Sequence, residues 1–84
     1  MSALTPVQAR VCELVSQITR VPIEKIKIDT DLRAELNVDS LLGLQIVAAV
    51  EKEYDIEVLE EEIDDYTTVR AIAETVGRRV AARS

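Results

Sequence analysis

The chain contains no histidine, no phenylalanine and no tryptophan, one cysteine, two glycines and two prolines in 84 residues. Each shortage excludes something. Without histidine there is no Ser-His or Cys-His catalytic pair, and without a Cys/His cluster the usual zinc sites are gone. A lone Cys12 cannot close an internal disulfide. With Tyr54 and Tyr66 as the only aromatic residues, the core has to be built from Leu, Ile, Val and Ala. No apolar run approaches the length needed to cross a bilayer, and the opening MSALTPVQAR has no basic region followed by an apolar stretch. These absences predict no catalytic residues, no metal site and no membrane association, in a discrete cytoplasmic chain.

What is present is a small, apolar-rich and acidic sequence. Hydrophobic residues make up 48%, too many for a disordered segment. A length of 84 residues predicts one domain spanning residues 1–84. The net charge of −6 is uneven. Residues 1–50 carry 5 basic and 6 acidic side chains, whereas residues 51–84 carry 5 and 10, with nine of those acids between 51 and 65. Such a field disfavours nucleic acid and favours partners with basic patches.

Periodicity marks the elements. Thr5, Pro6 and Gln8 form a capping-box start, followed by Val7, Val11, Leu14, Val15 and Ile18 at helical spacing. Cys12 is read as a core residue or a half-buried neighbour of that face. Pro22 ends this helix near Thr19-Arg20. Residues 20–38 then form a long connection without glycine, anchored by Val21, Ile23, Ile26, Ile28, Leu32 and Leu36. One helical turn is expected at Pro22–Lys25 and another, capped by Asp29 or Thr30, through Glu35. The second long helix starts at Asp39 or Ser40 and runs to about Tyr54. It is apolar round most of its circumference, so part of it is core and part is surface reserved for a partner. Leu41 is read as that surface; Leu42 either joins it or packs under the preceding loop. A short acidic helix is expected over Glu60 to Asp65. Thr67 or Thr68 caps the last helix, with Val69, Ile72, Ala73, Val76 and Val80 inward. The predicted fold is all-α, a four-helix bundle of three longer helices and one short one, with a long ordered loop between helices one and two.

Ser40 draws attention because it lies between Asp39 and a run of leucines. An EF-hand reading of DTDLRAELNVDS fails, since its sixth and twelfth positions are Ala34 and Ser40. A nucleophile elbow fails too, because Val38 and Leu42 stand where glycines are needed. A plain helix cap remains, as does an attachment point. An anionic ester on a first-turn serine would be favoured by the free amides and dipole of a helix N-terminus.

The stretch Leu36-Asn37-Val38-Asp39-Ser40-Leu41 resembles the L-G-x-D-S-L signature of acyl carrier proteins. The likeness extends over most of the chain: Asp31-Leu32 through Glu35-Leu36 resembles the lead-in, residues 50–58 (VEKEYDIEV) resemble L-E-E-E-F-x-I-E-I, and Thr67-Thr68-Val69 resembles the start of the last helix. The resemblance implies 4′-phosphopantetheine attached to Ser40 by a phosphopantetheinyl transferase that reads Asp39 and Leu41. The arm would hold acyl groups as thioesters, and the chain itself would catalyse nothing. It further implies a monomer that meets loading and downstream synthase enzymes through Leu41, Leu42 and Glu51 and the acidic residues Glu60, Glu61 and Glu62. Two departures stand out. Asn37 replaces the usual glycine, and Leu41-Leu42-Gly43-Leu44-Gln45 resembles peptidyl carrier domains more than fatty-acid carriers. A polyketide or other specialised acyl carrier is therefore expected, with an aminoacyl carrier or a fatty-acid carrier as alternatives. From a different class, an unmodified acidic helical interaction module remains.

Overall fold

The computed structural model describes residues 4–59, 61 and 66–83. Helix α1 spans Pro6–Thr19, α2 Leu32–Leu36, α3 Ser40–Tyr54 and α4 Val69–Arg83, with a 3-10 turn at Ile23–Lys25. The architecture is the expected all-α bundle. Its short helix among the described residues is α2, inside the long connection; the acidic helix expected at 60–65 lies outside them, apart from Glu61.

Helix α1 begins as its sequence dictates. The Thr5 hydroxyl accepts the Gln8 amide and the Gln8 side chain accepts the Thr5 amide, both at 3.1 Å, with Pro6 at the first helical position. Arg20 ends the helix in the left-handed region at φ 65°. Its apolar stripe of Val11, Cys12, Leu14 and Val15 is buried, which places Cys12 in the core. That burial pushes the thiol pKa up, so Cys12 is an inert packing residue.

The stripe of α1 packs against α3 and α4, where Ile46, Val47 and Val50 meet Val69, Ile72 and Val76. Arg10, early in α1, donates to Glu53, late in α3, at 2.9 Å; the two helices therefore run antiparallel. The Thr68 hydroxyl caps α4 by accepting the Ala71 amide at 3.1 Å. One position read as inward differs: Val80 is 36% exposed.

The long connection is ordered, as its apolar anchors imply. Ile26, Leu32 and Val38 are buried in the common core. Two backbone bonds stitch it to the start of α4, Leu32 N–H to the Thr67 carbonyl and Arg70 N–H to the Ile28 carbonyl, both 2.9 Å. Arg70 also grips Asp29 bidentately at 2.7 and 3.0 Å. This pair corrects the expected cap of α2. Asp29 is occupied by Arg70, and the Thr30 hydroxyl accepts the Lys27 amide at 2.9 Å. Asp31 caps instead, accepting the Arg33 and Ala34 amides at 3.0 and 2.9 Å.

The Arg70 guanidinium holds the Asp29 carboxyl below its ordinary range, chiefly by hydrogen bonding. A carboxyl lowered in the folded chain stabilises the fold above its unfolded pKa, and that contribution is lost as pH falls through the folded value. The Arg70→Gln variant is expected to move the Asp29 midpoint to higher pH, read from its carboxyl carbon resonance in an acid titration by NMR. An unmoved midpoint would mean that the pair is not held in solution.

Candidate functional site

The site is the corner where α2 ends and α3 begins. Helix α2 closes with Asn37 in the left-handed conformation at φ 56° and ψ 35°. The Val38 amide returns to the Leu32 carbonyl at 3.0 Å, which the Asn37 amide also meets, closing the end of α2. This is why an asparagine can stand where the carrier signature has glycine: Asn tolerates that conformation better than other residues with a side chain. Asn37→Ala should cost up to about 1 kcal/mol, because alanine keeps the Cβ and loses the short polar side chain that eases the left-handed conformation, while Asn37→Gly, which removes the Cβ, should be near neutral. Urea unfolding of the two variants measures the difference.

Val38 is buried and pins the corner to the core. Asp39 follows in extended conformation, and its carboxylate accepts the Leu42 amide at 2.9 Å. Asp39 is therefore the cap, and Ser40 is the first residue of α3, exposed. The capping role that local chemistry offered to Ser40 is taken by its neighbour, so the serine hydroxyl is not needed to start the helix. Helix geometry leaves the Ser40 and Leu41 amides without intrahelical acceptors, and an anion there is favoured by the dipole.

The residues after Ser40 divide between core and surface. Leu42 is half-buried and packs against the core, which resolves its two readings in favour of packing; it supports the corner from below. Leu41 is 65% and Leu44 51% exposed. Leu44 was not singled out from the sequence as a site residue. Its signal was present, because the fourth residue after Ser40 shares its face of the helix. Between α2 and α3 lies a pocket of about 20 Å³, lined by Leu32, Arg33, Val38, Gly43, Ile46, Val47 and Tyr66. That is room for a water molecule, not for an alkyl chain.

Glu51 is not a free surface acid. Its carboxylate accepts the Val58 amide at 2.8 Å and so ties the segment after α3 back onto the helix. The donor is seven residues away across a turn that periodicity does not reveal. Glu61 is exposed, and Glu60 and Glu62 lie outside the described residues. Among the described residues no group of acidic or sulfur side chains is placed to hold a metal ion, and no helix is long and apolar enough to cross a membrane.

A short helical bundle that presents a capped, exposed serine beside a leucine at a helix start has the form of a tether rather than a catalyst. Comparison with known proteins agrees. A family profile described as the phosphopantetheine attachment site matches residues 9–76. The chain is 42% identical over 69 residues to an acyl carrier protein of Streptomyces coelicolor, covering 82% of this chain and 75% of that one. It is 32% identical over 68 residues to an acyl carrier protein of Trieres chinensis, covering 81% and 85%. It is 33% identical over 62 residues to polyketide-8 synthase acyl carrier protein 2 of Streptomyces avermitilis, covering 74% and 71%.

The chain belongs to the acyl carrier protein family. It bears a covalent 4′-phosphopantetheine and carries acyl intermediates on it, without being an enzyme itself. Its partners are, in general terms, a phosphopantetheinyl transferase and the synthase enzymes that use the arm.

Proposed function

We propose that Ser40 takes the arm, and that this single carrier domain serves a specialised acyl pathway of polyketide type. The observation that carries the assignment of Ser40 is its placement. It is the exposed first residue of α3, with capping delegated to Asp39, inside the stretch that resembles the carrier signature. Attachment replaces the serine O–H bond with a phosphodiester and releases adenosine 3′,5′-bisphosphate from coenzyme A. The new anion sits against the open first-turn amides of α3. Asp39 and Leu41 are the flanks the transferase meets.

The pathway reading rests on two supports. One relative is by name a polyketide synthase carrier. The opening of α3, Leu41 to Gln45, lacks acids, unlike the fatty-acid carriers it would otherwise resemble. The setting that follows is a monomeric, cytoplasmic carrier visited in turn by a loading enzyme and downstream synthase enzymes.

Incubation with a phosphopantetheinyl transferase and coenzyme A is expected to add one arm to the intact mass, mapped by peptide mass spectrometry to Ser40. Modification elsewhere, or none by several transferases, would remove the assignment. Offering the arm-bearing form a panel of malonyl, fatty-acyl and aminoacyl donors with their loading enzymes then tests the cargo. Preferred aminoacyl loading would displace the polyketide reading in favour of a peptidyl one.

A further inference from the structure

Ser40 stands in a stretch short of positive charge. Residues 28–51 hold five acids, Asp29, Asp31, Glu35, Asp39 and Glu51, and a single cation, Arg33. Each of those acids already accepts a donor of the chain. Asp29 takes the Arg70 guanidinium at 2.7 Å, Asp31 the Arg33 and Ala34 amides at 3.0 and 2.9 Å, and Glu35 the Asp31 amide at 2.8 Å. Asp39 takes the Leu42 amide at 2.9 Å and Glu51 the Val58 amide at 2.8 Å. An arm on Ser40 adds a phosphodiester, one more negative charge, to this neighbourhood. The open amides of α3 meet part of it. The full positive charge that the stretch itself can bring is that of Arg33.

The structure places Arg33 beside the same flank of α3. It comes from α2 and lines the small pocket between α2 and α3 together with Gly43 and Val47, and it is the charged residue of that wall. Arg33 is nevertheless exposed. An arginine that does both lays its stem on apolar surface and holds its guanidinium in water at the rim. Gly43 lies three residues after Ser40, about 4.5 Å along the axis and on a shared flank of the helix. A Cβ added to Gly43 would meet nothing within 4 Å, so open space lies over this flank.

We infer that Arg33 is the counter-ion of the arm. Its guanidinium reaches over Gly43 and receives the phosphodiester on Ser40, which draws the first bonds of the arm to the α2 side of α3. The inference rests on Ser40 being the attachment residue and names the residue that orients what is attached there. Arginine suits the task because its planar fork matches two phosphate oxygens at once. The consequence is directional. The arm leaves the corner along the α2–α3 rim and not across the exposed Leu41 and Leu44.

The test uses the full chain with and without the arm, prepared with a broad-specificity phosphopantetheinyl transferase and coenzyme A, and reads it by NMR. In the parent, the Arg33 Nε–H resonance is expected to move when the arm is attached. That move should shrink in about 1 M salt, where charges are screened beyond roughly 3 Å. In arm-bearing Arg33→Gln the phosphorus resonance is expected to shift from its parent position. Arg33→Lys, which keeps the charge and loses the fork, should bring it part of the way back.

An Arg33 resonance that stays in place on attachment overturns the inference, and that measurement needs no variant to fold. A phosphorus resonance common to the parent and Arg33→Gln overturns it too. So does one that Arg33→Lys leaves where Arg33→Gln put it, because the change would then come from the helix and not from the charge. A chain that accepts no arm, or carries it on another residue, overturns instead the Ser40 reading beneath, so the two failures are distinguishable.

Discussion

Ser40→Ala should abolish arm attachment outright while leaving the bundle intact. On the proposed attachment at Ser40 the loss is complete, because the reaction needs an oxygen nucleophile there and an alanine methyl has none. The fold should survive because Ser40 contributes little to it. Its side chain is exposed, and the α3 cap is the Asp39 carboxylate bonded to the Leu42 amide. Alanine is also a better helix former than serine by a few tenths of a kcal/mol. The variant should therefore show an unshifted urea midpoint together with no mass gain in the presence of transferase and coenzyme A. Retention of the arm would locate attachment elsewhere. A collapsed midpoint would mean that Ser40 has a structural role its exposure does not reveal.

Leu32→Ala should be the most damaging single change to stability among those considered. Leu32 is 1% exposed and forms the buried side of the five-residue helix α2. So short a helix has little stability of its own. It is held by burial of Leu32, the Asp31 cap, and the bond from the Leu32 amide to the Thr67 carbonyl. Deleting a buried leucine side chain costs about 2–5 kcal/mol, against a total of roughly 4–13 kcal/mol for 84 residues at ordinary stability per residue. The void would also join the small pocket that Leu32 already lines. Urea unfolding should show a loss of at least about 2 kcal/mol. Arm transfer should weaken at the same time, because α2 and the bonds to the Leu32 carbonyl that close it set the direction in which Asp39 and Ser40 enter α3. A loss well under 1 kcal/mol would mean that the site collapses around the alanine.

These two residues show how differently the fold and the site could be read. The start of α1 was legible because its signals are local: Thr5, Pro6 and Gln8 lie within four residues, and their bonds close on one another. The extents of α3 and of the ordered connection were legible for the same reason, through a capping Asp39, a helix-disfavouring Pro22 and recurrent aliphatic anchors. The carrier signature placed attention on Ser40, but local chemistry alone left it as either a cap or a tether. The bond from the Leu42 amide to Asp39 identified which neighbour does the capping.

Other assignments depended on partners far away in sequence. Spacing offers Asp29 or Thr30 as the cap of α2; Arg70, forty-one residues from Asp29, occupies the first of them, and Asp31 caps instead. Leu41 and Leu42 are the same residue type side by side, and only the position of α3 on the core leaves one exposed and the other packed. Val80 continues the inward stripe of α4 by spacing, yet it stays 36% exposed.

The sequence by itself determined the class of fold, the main helices and the helix-start corner at Ser40, because periodicity and caps act over a few residues. Only the tertiary structure decided which acids remain available. Glu51 and Glu53 look alike in a list of charges, but one is drawn to the Val58 amide and the other to Arg10. Side-chain carboxylates are assigned by the donors that folding brings within about 3 Å, and the donor to Glu53 comes from the neighbouring antiparallel helix, 43 residues away in sequence.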